Sequence, residues 1–150
     1  MHRLISAICA GLIFAAGLGL ALAQPGEDAL KPLQGTWTAT TAESDGKAAD
    51  AVVRHRLSFS GDRFQIWSKG GKLVYAGSVR ANPSAKPASI DFKQTQGALK
   101  GKVWKGIYVL DGDTLKICDN APNLKAPRPA AFEAKRGSGY ILITFERAKP

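Results

Sequence analysis

Between Leu33 and Arg147 the chain is a succession of short runs rich in Val, Ile, Thr, Tyr, Phe and Trp, each ended by Gly, Asp, Asn or Pro. That punctuation leaves no room for a long amphipathic helix and is the pattern of an antiparallel sandwich or barrel. Within the runs, apolar and polar residues alternate. Val53, His55, Leu57 and Phe59 fall on one side and Arg54, Arg56 and Ser58 on the other, the period of a strand with one buried face. The spacing predicts strands over 36–43, 52–59, 63–67, 73–79, 89–92, 103–110, 114–118, 131–133 and 140–147. Asp45-Gly46, Ser60-Gly61-Asp62, Gly70-Gly71, Asp111-Gly112-Asp113 and Gly137-Ser138-Gly139 supply turns between them. The proline-bearing segments 82–87 and 120–129 are loops, because proline cannot donate to a ladder. Eight or nine strands suffice to close a sheet on itself and remove its edges. The expected fold class is therefore all-β, a single antiparallel up-and-down β-barrel of about 8 strands.

The residues before this domain have another character. A basic start at Met1-His2-Arg3, an apolar run from Leu4 to Leu20 and the small-residue end Ala21-Leu22-Ala23 have the form of a secretory signal, with cleavage expected after Ala23. The organisation read from this is a signal peptide over 1–23, a linker over 24–32 and one barrel domain over 33–150. Periplasm or extracellular space is the expected location. Membrane attachment is expected only if the apolar run is retained, since it approaches the roughly 20 residues of a spanning helix. Cys9 lies in the signal, leaving Cys118 alone, so no intramolecular disulfide is expected and stability must come from packing. Cys118, beside Leu115 and Ile117, reads as a strand residue with no redox task.

Several phrases together are specific: Leu33-Gln34-Gly35-Thr36-Trp37, Glu43-Ser44-Asp45-Gly46-Lys47, Asn82-Pro83 with Lys86-Pro87 and Ile90-Asp91, the unbroken stretch from Gly106 to Cys118, and Arg128-Pro129 with Phe132 and Gly137-Ser138-Gly139. With these the chain resembles an uncharacterised lipocalin-like domain family abundant in planctomycete bacteria, over nearly all of 33–147. Asn82 stands where that family often has aspartate before proline, and both residues initiate turns. The resemblance implies a calycin-like barrel and supplies no substrate or catalytic residue. A broader resemblance to lipocalins rests on Gly35-x-Trp37 in the first strand and Arg147 at the end of the last. It implies neighbouring strands with the guanidinium packed over the indole, a structural brace.

Candidate chemistry is sparse. His55 is the one histidine outside the signal and has no second ligand at metal spacing, so neither a metal nor a cofactor is expected. Asp111-Gly112-Asp113 lacks the ligand spacing of a calcium loop, and no nucleophile elbow is present, so no catalytic residue is expected. Trp67, Tyr75, Trp104, Tyr108, Phe132 and Tyr140 are candidates to line a barrel cavity, with Arg56 or Arg128 to neutralise an acid group. Without Arg3 the chain carries 20 basic and 12 acidic residues, a net +8. These are scattered through the sequence without a run, which reads as a solvated basic surface and not as a nucleic-acid footprint. The expected function is a non-catalytic, monomeric, exported domain that takes a small apolar or anionic ligand, or an envelope or protein partner. The alternative is a cell-envelope structural or protein-interaction domain with a packed, ligand-free barrel, and a hydrolase stands last among the readings.

Overall fold

A computed structural model describes residues 25–150; the expected signal over 1–23 lies outside the described residues. The chain runs from a short helix α1 (Pro25–Leu30) and a 3₁₀ turn (Lys31–Leu33) into nine strands. These are β1 (Gly35–Ser44), β2 (Lys47–Ala48), β3 (Arg56–Ser60), β4 (Arg63–Trp67), β5 (Leu73–Asn82), β6 (Ser89–Gln94), β7 (Val103–Asp111), β8 (Thr114–Asp119) and β9 (Ile141–Arg147). All pairings are antiparallel between sequence neighbours, except that two-residue β2 pairs only with the end of β1, and β3 follows β1 along the sheet. Pairing of β1 with β9 closes eight strands into an up-and-down β-barrel.

One irregularity sets which residues of β1 reach the interior. The register against β9 slips between Ala39 and Thr41, so that Thr40 is the extra residue of a bulge and its hydroxyl donates to the Thr144 carbonyl at 3.1 Å. Trp37 and Ala39 point inward before the slip, and Ala42 after it. Without the bulge, Thr41 and Glu43 would enter the core in place of Ala42.

The two ends of the barrel differ. At one end Trp37, 0 % exposed, donates from its indole nitrogen to the Leu33 carbonyl at 2.8 Å, and Leu30 and Leu33 pack into the same core. Residues 25–33 are thus not the linker expected over 24–32. Leu30 and Leu33 stand three apart on one helical face, which turns this segment into a plug. Gln34 seals the plug by accepting from and donating to the backbone of Gly61, at 2.8 and 3.0 Å. The other end, where β1, β4, β6 and β8 finish, is open.

Two expected strands fail for local reasons. The run 52–59 begins only at Arg56, because residues 49–55 close successive i to i+3 hydrogen bonds and Arg54 adopts a φ of 72°. Residues 131–133 form no strand, since Glu133 bonds back to Ala131 in a tight bend within the long β8–β9 connection. That connection has its own role: it covers Ile107 and Cys118, which face each other on the outside of β7 and β8 and are nonetheless buried. The Cys118 thiol lies 3.4 Å from the Glu133 carbonyl, and burial pushes it up to about 11.

Candidate functional site

The core packs densely around Trp37 at the plugged end and gives way to a cavity of about 310 Å³ toward the open end. Strand alternation builds its wall: Leu57 from β3, Ile66 from β4, Phe92 from β6, Trp104 from β7, Ile117 from β8 and Ile143 with Phe145 from β9. The rim adds Val52 and His55 from the turn before β3, Leu99 from the β6–β7 connection, and Ala121 with Pro122 after β8. Tyr75 meets Trp104 edge to face at 4.8 Å between ring centroids, fixing one aromatic wall. At about 310 Å³ the space lies at the lower bound of small-molecule sites.

Asp119 breaks this apolar lining, and two further polar groups are buried nearby, one on Trp104 in the wall and one on Gln94 outside it. Asp119 extends the inward series Leu115, Ile117, Asp119 along β8 and is only 6 % exposed. Its Oδ1 accepts from the Ala121 amide at 2.9 Å, yet burial outweighs that bond and pushes the carboxyl up to about 7. Gly106 lies opposite Asp119 in the ladder, and a methyl group there would come within 2.9 Å of the Asp119 Cβ, so glycine lets the two strands approach. The Trp104 indole N–H is buried without a hydrogen-bond partner in the protein. So is the whole side-chain amide of Gln94, which faces inward from β6 one pair beyond Phe92, diagonal to Trp104. Unpaired buried donors and acceptors cost roughly 1–3 kcal/mol each, so natural cores rarely keep them. At the rim, His55 is held below its ordinary value by burial.

The residues expected to form a ligand site separate into three groups. Tyr75 and Trp104 line the cavity. Tyr108, buried in the core, and Phe132 border instead a surface groove beside Pro83, Pro87 and the plug. The remaining four lie elsewhere. Arg56 and Trp67 are opposite each other in the β3–β4 ladder on the outer face, because Leu57 and Ile66 take the inner one. Arg128 is engaged outside the barrel, forking onto Asp91 at 2.6 and 3.2 Å and donating to the Gly106 carbonyl at 2.8 Å. Tyr140 precedes β9 half-buried, its carbonyl accepting from Ser44. No arginine reaches the cavity, so the expected neutraliser of an acid group is not there.

At the plugged end, Trp37 and Arg147 are ladder partners, and the guanidinium sits 4.2 Å from the ring centroid. Arg147 also donates to the Gln34 and Pro32 carbonyls at 2.9 and 3.0 Å and to Asp113 at 3.1 Å. Gly35 enters β1 at a φ of 107°, a conformation that side-chain-bearing residues rarely adopt, beside this guanidinium. The arrangement joins the plug, the first strand and the last.

The fold and site define a closed antiparallel β-barrel with a one-ended, largely apolar interior cavity. Compared with protein-family models, curated proteins and solved structures, the chain matches none. Among the described residues no group of His, Cys, Asp and Glu is placed to hold a metal ion.

Proposed function

We propose that this protein is a non-catalytic binding module that holds one small, mostly apolar molecule with a hydrogen-bonding end inside the barrel. The observation that carries the reading is an apolar cavity of about 310 Å³ whose wall holds the Asp119 carboxyl and Trp104, whose indole N–H has no partner in the protein. An apolar body would fill the space between Tyr75, Trp104 and Ile143, and a polar end would meet Asp119 and the Trp104 N–H. Of the expected ligands the apolar one is favoured over the anionic, since the wall offers a carboxyl and no lysine or arginine. The leader-like segment 1–23 supports placing this binder outside the cytoplasm. Membership of the lipocalin-like family is part of the same proposal and rests on the phrases quoted from the sequence.

The test uses a neutral apolar fluorophore, N-phenyl-1-naphthylamine, titrated into the protein. Saturable one-to-one enhancement with quenching of tryptophan emission is expected, and Ile143→Trp, which fills the cavity, should abolish it while leaving the thermal midpoint in place. Binding that is not saturable, or that survives Ile143→Trp in a folded protein, overturns the proposal.

A further inference from the structure

The lysines and arginines that look scattered in the sequence are sorted by the barrel. Connections at the open end are residues 45–55, 68–72, 95–102 and 120–140, and together they hold ten Lys or Arg against three acids. The segments at the plugged end, 25–34, 61–62, 83–88, 112–113 and 148–150, hold three against four. Open-end connections therefore carry a net +7 and plugged-end segments a net −1, so nearly all of the chain's excess positive charge sits around the mouth. Two of the ten are committed, Arg128 to Asp91 and Lys135 to Glu133. Lys47, Arg54, Lys69, Lys72, Lys100, Lys102, Lys125 and Arg136 are all exposed.

The exposed apolar residues sort the same way. Of the five large hydrophobic side chains that stand out to solvent, Leu73, Val74 and Tyr75 begin β5 at the open rim, and Leu124 follows the cavity-lining Pro122 by two residues. Only Val109 lies toward the plugged end. A ring of cations with aliphatic side chains among them matches the two components of an anionic lipid surface, headgroup phosphate and hydrocarbon. A nucleic-acid face would pair its cations with base-stacking aromatics, whereas Leu73, Val74 and Leu124 are aliphatic and the one exposed aromatic among them, Tyr75, has its ring edge to face with Trp104.

We propose that the open end of the barrel docks on an anionic phospholipid bilayer, its lysines and arginines at the headgroups and Leu73, Val74 and Leu124 in the interface. Docking stands on the charge and the exposed side chains; its consequence, that the cavity loads from the membrane, rests on the binding proposed above. An apolar molecule dissolved in the bilayer then reaches Tyr75 and Trp104 without crossing water.

The barrel and its core lie within residues 25–150, so the experiment uses the chain from Gln24, which keeps the apolar run 4–20 from contributing to binding. Co-sedimentation is measured with vesicles of phosphatidylcholine alone and with phosphatidylglycerol added, at low and high salt. Binding only to the anionic vesicles and weakening with salt is expected. Each lysine at such a surface contributes about a fivefold factor, so Lys69→Glu with Lys72→Glu should weaken partitioning by roughly 25-fold or more. Lys86→Glu with Lys149→Glu, at the plugged end, should leave it within about twofold. Leu73→Ser with Val74→Ser should remove the binding that persists at high salt. Equal binding to neutral vesicles, equal loss from both charge reversals, or preference for duplex DNA over vesicles with no effect of Leu73→Ser and Val74→Ser each overturn the proposal. Vesicle binding lost while naphthylamine binding remains sinks the docking alone, and the reverse result sinks the cavity reading alone.

Discussion

Asp119 is a carboxyl that the fold would be more stable without at neutral pH. Its ordinary value is 3.8 and burial raises it to about 7 in the folded protein. Between those values the folded state keeps a proton that the unfolded state has released, so unfolding gains in favour as pH rises. The stability is whole below about pH 4, is lost progressively up to about pH 7, and falls no further above that. At 1.36 kcal/mol per unit, three units correspond to a ceiling of about 4 kcal/mol. Asp119→Asn removes the titration while its Oδ1 can still accept from the Ala121 amide at 2.9 Å. The variant is expected to match the parent within about 1 kcal/mol at pH 4 and to exceed it by roughly 2–4 kcal/mol at pH 8. Urea unfolding at half-unit intervals of pH gives both curves. His55, depressed by burial, contributes in the opposite sense, losing stability as pH falls below about 6.5. It is common to both proteins, so the difference between curves isolates Asp119. Parallel curves with no divergence between pH 4 and 7 would refute the placement of this carboxyl in an apolar wall. If the divergence is found, Asp119 is kept at a cost in stability, as groups that serve a binding site are.

The brace at the plugged end makes two further predictions. Trp37→Ala should cost about 3–5 kcal/mol in chemical denaturation, the range for large aromatic deletions in a packed core. Arg147→Lys should cost at least about 1 kcal/mol although it keeps the charge, because an ammonium cannot stack on Trp37 while reaching the Gln34 and Pro32 carbonyls together. Cys118, fully buried with its thiol pushed up to about 11, should not react with Ellman's reagent at pH 8 in the native protein and should yield one equivalent in denaturant. Rapid reaction of the native protein would mean that the β8–β9 connection opens.

The strands were legible because alternation and turn residues act locally. Asp45-Gly46 marks a hairpin whose residues adopt φ of 53° and 70°, and the apolar positions of β7 and β8 follow from their period. What could not be read depended on neighbours distant in sequence. The bulge at Thr40 is a register event between strands more than 100 residues apart. The segment of Leu30 and Leu33 carries two prolines and a glycine, the marks of a tether with at most a turn of helix around Ala29-Leu30, and its role as a plug shows only where the two leucines enter the barrel end. The cavity shows the same division. Aromatic content pointed to Tyr75 and Trp104, but the side taken by Trp67 depends on the inward neighbour Ile66, and Arg128 is drawn away by Asp91. Asp119 did leave a signal: it continues the inward spacing of Leu115 and Ile117 by two, placing an acid where the strand period calls for an apolar residue.

Charge is the clearest case of a property that topology creates. An up-and-down barrel sends alternate connections to opposite ends, so a sequence that places lysines in every second loop shows no cluster when read linearly and a strong one once closed. The strands themselves hold seven basic and five acidic residues, which contributes little to the asymmetry. The loops therefore set the polarity of the molecule while the strands set its interior. A cavity that opened at the plugged end would have a neutral or acidic rim; this one opens where the cations and the exposed aliphatic residues are, so the entrance to the proposed binding site and the surface proposed to meet an anionic bilayer are the same face.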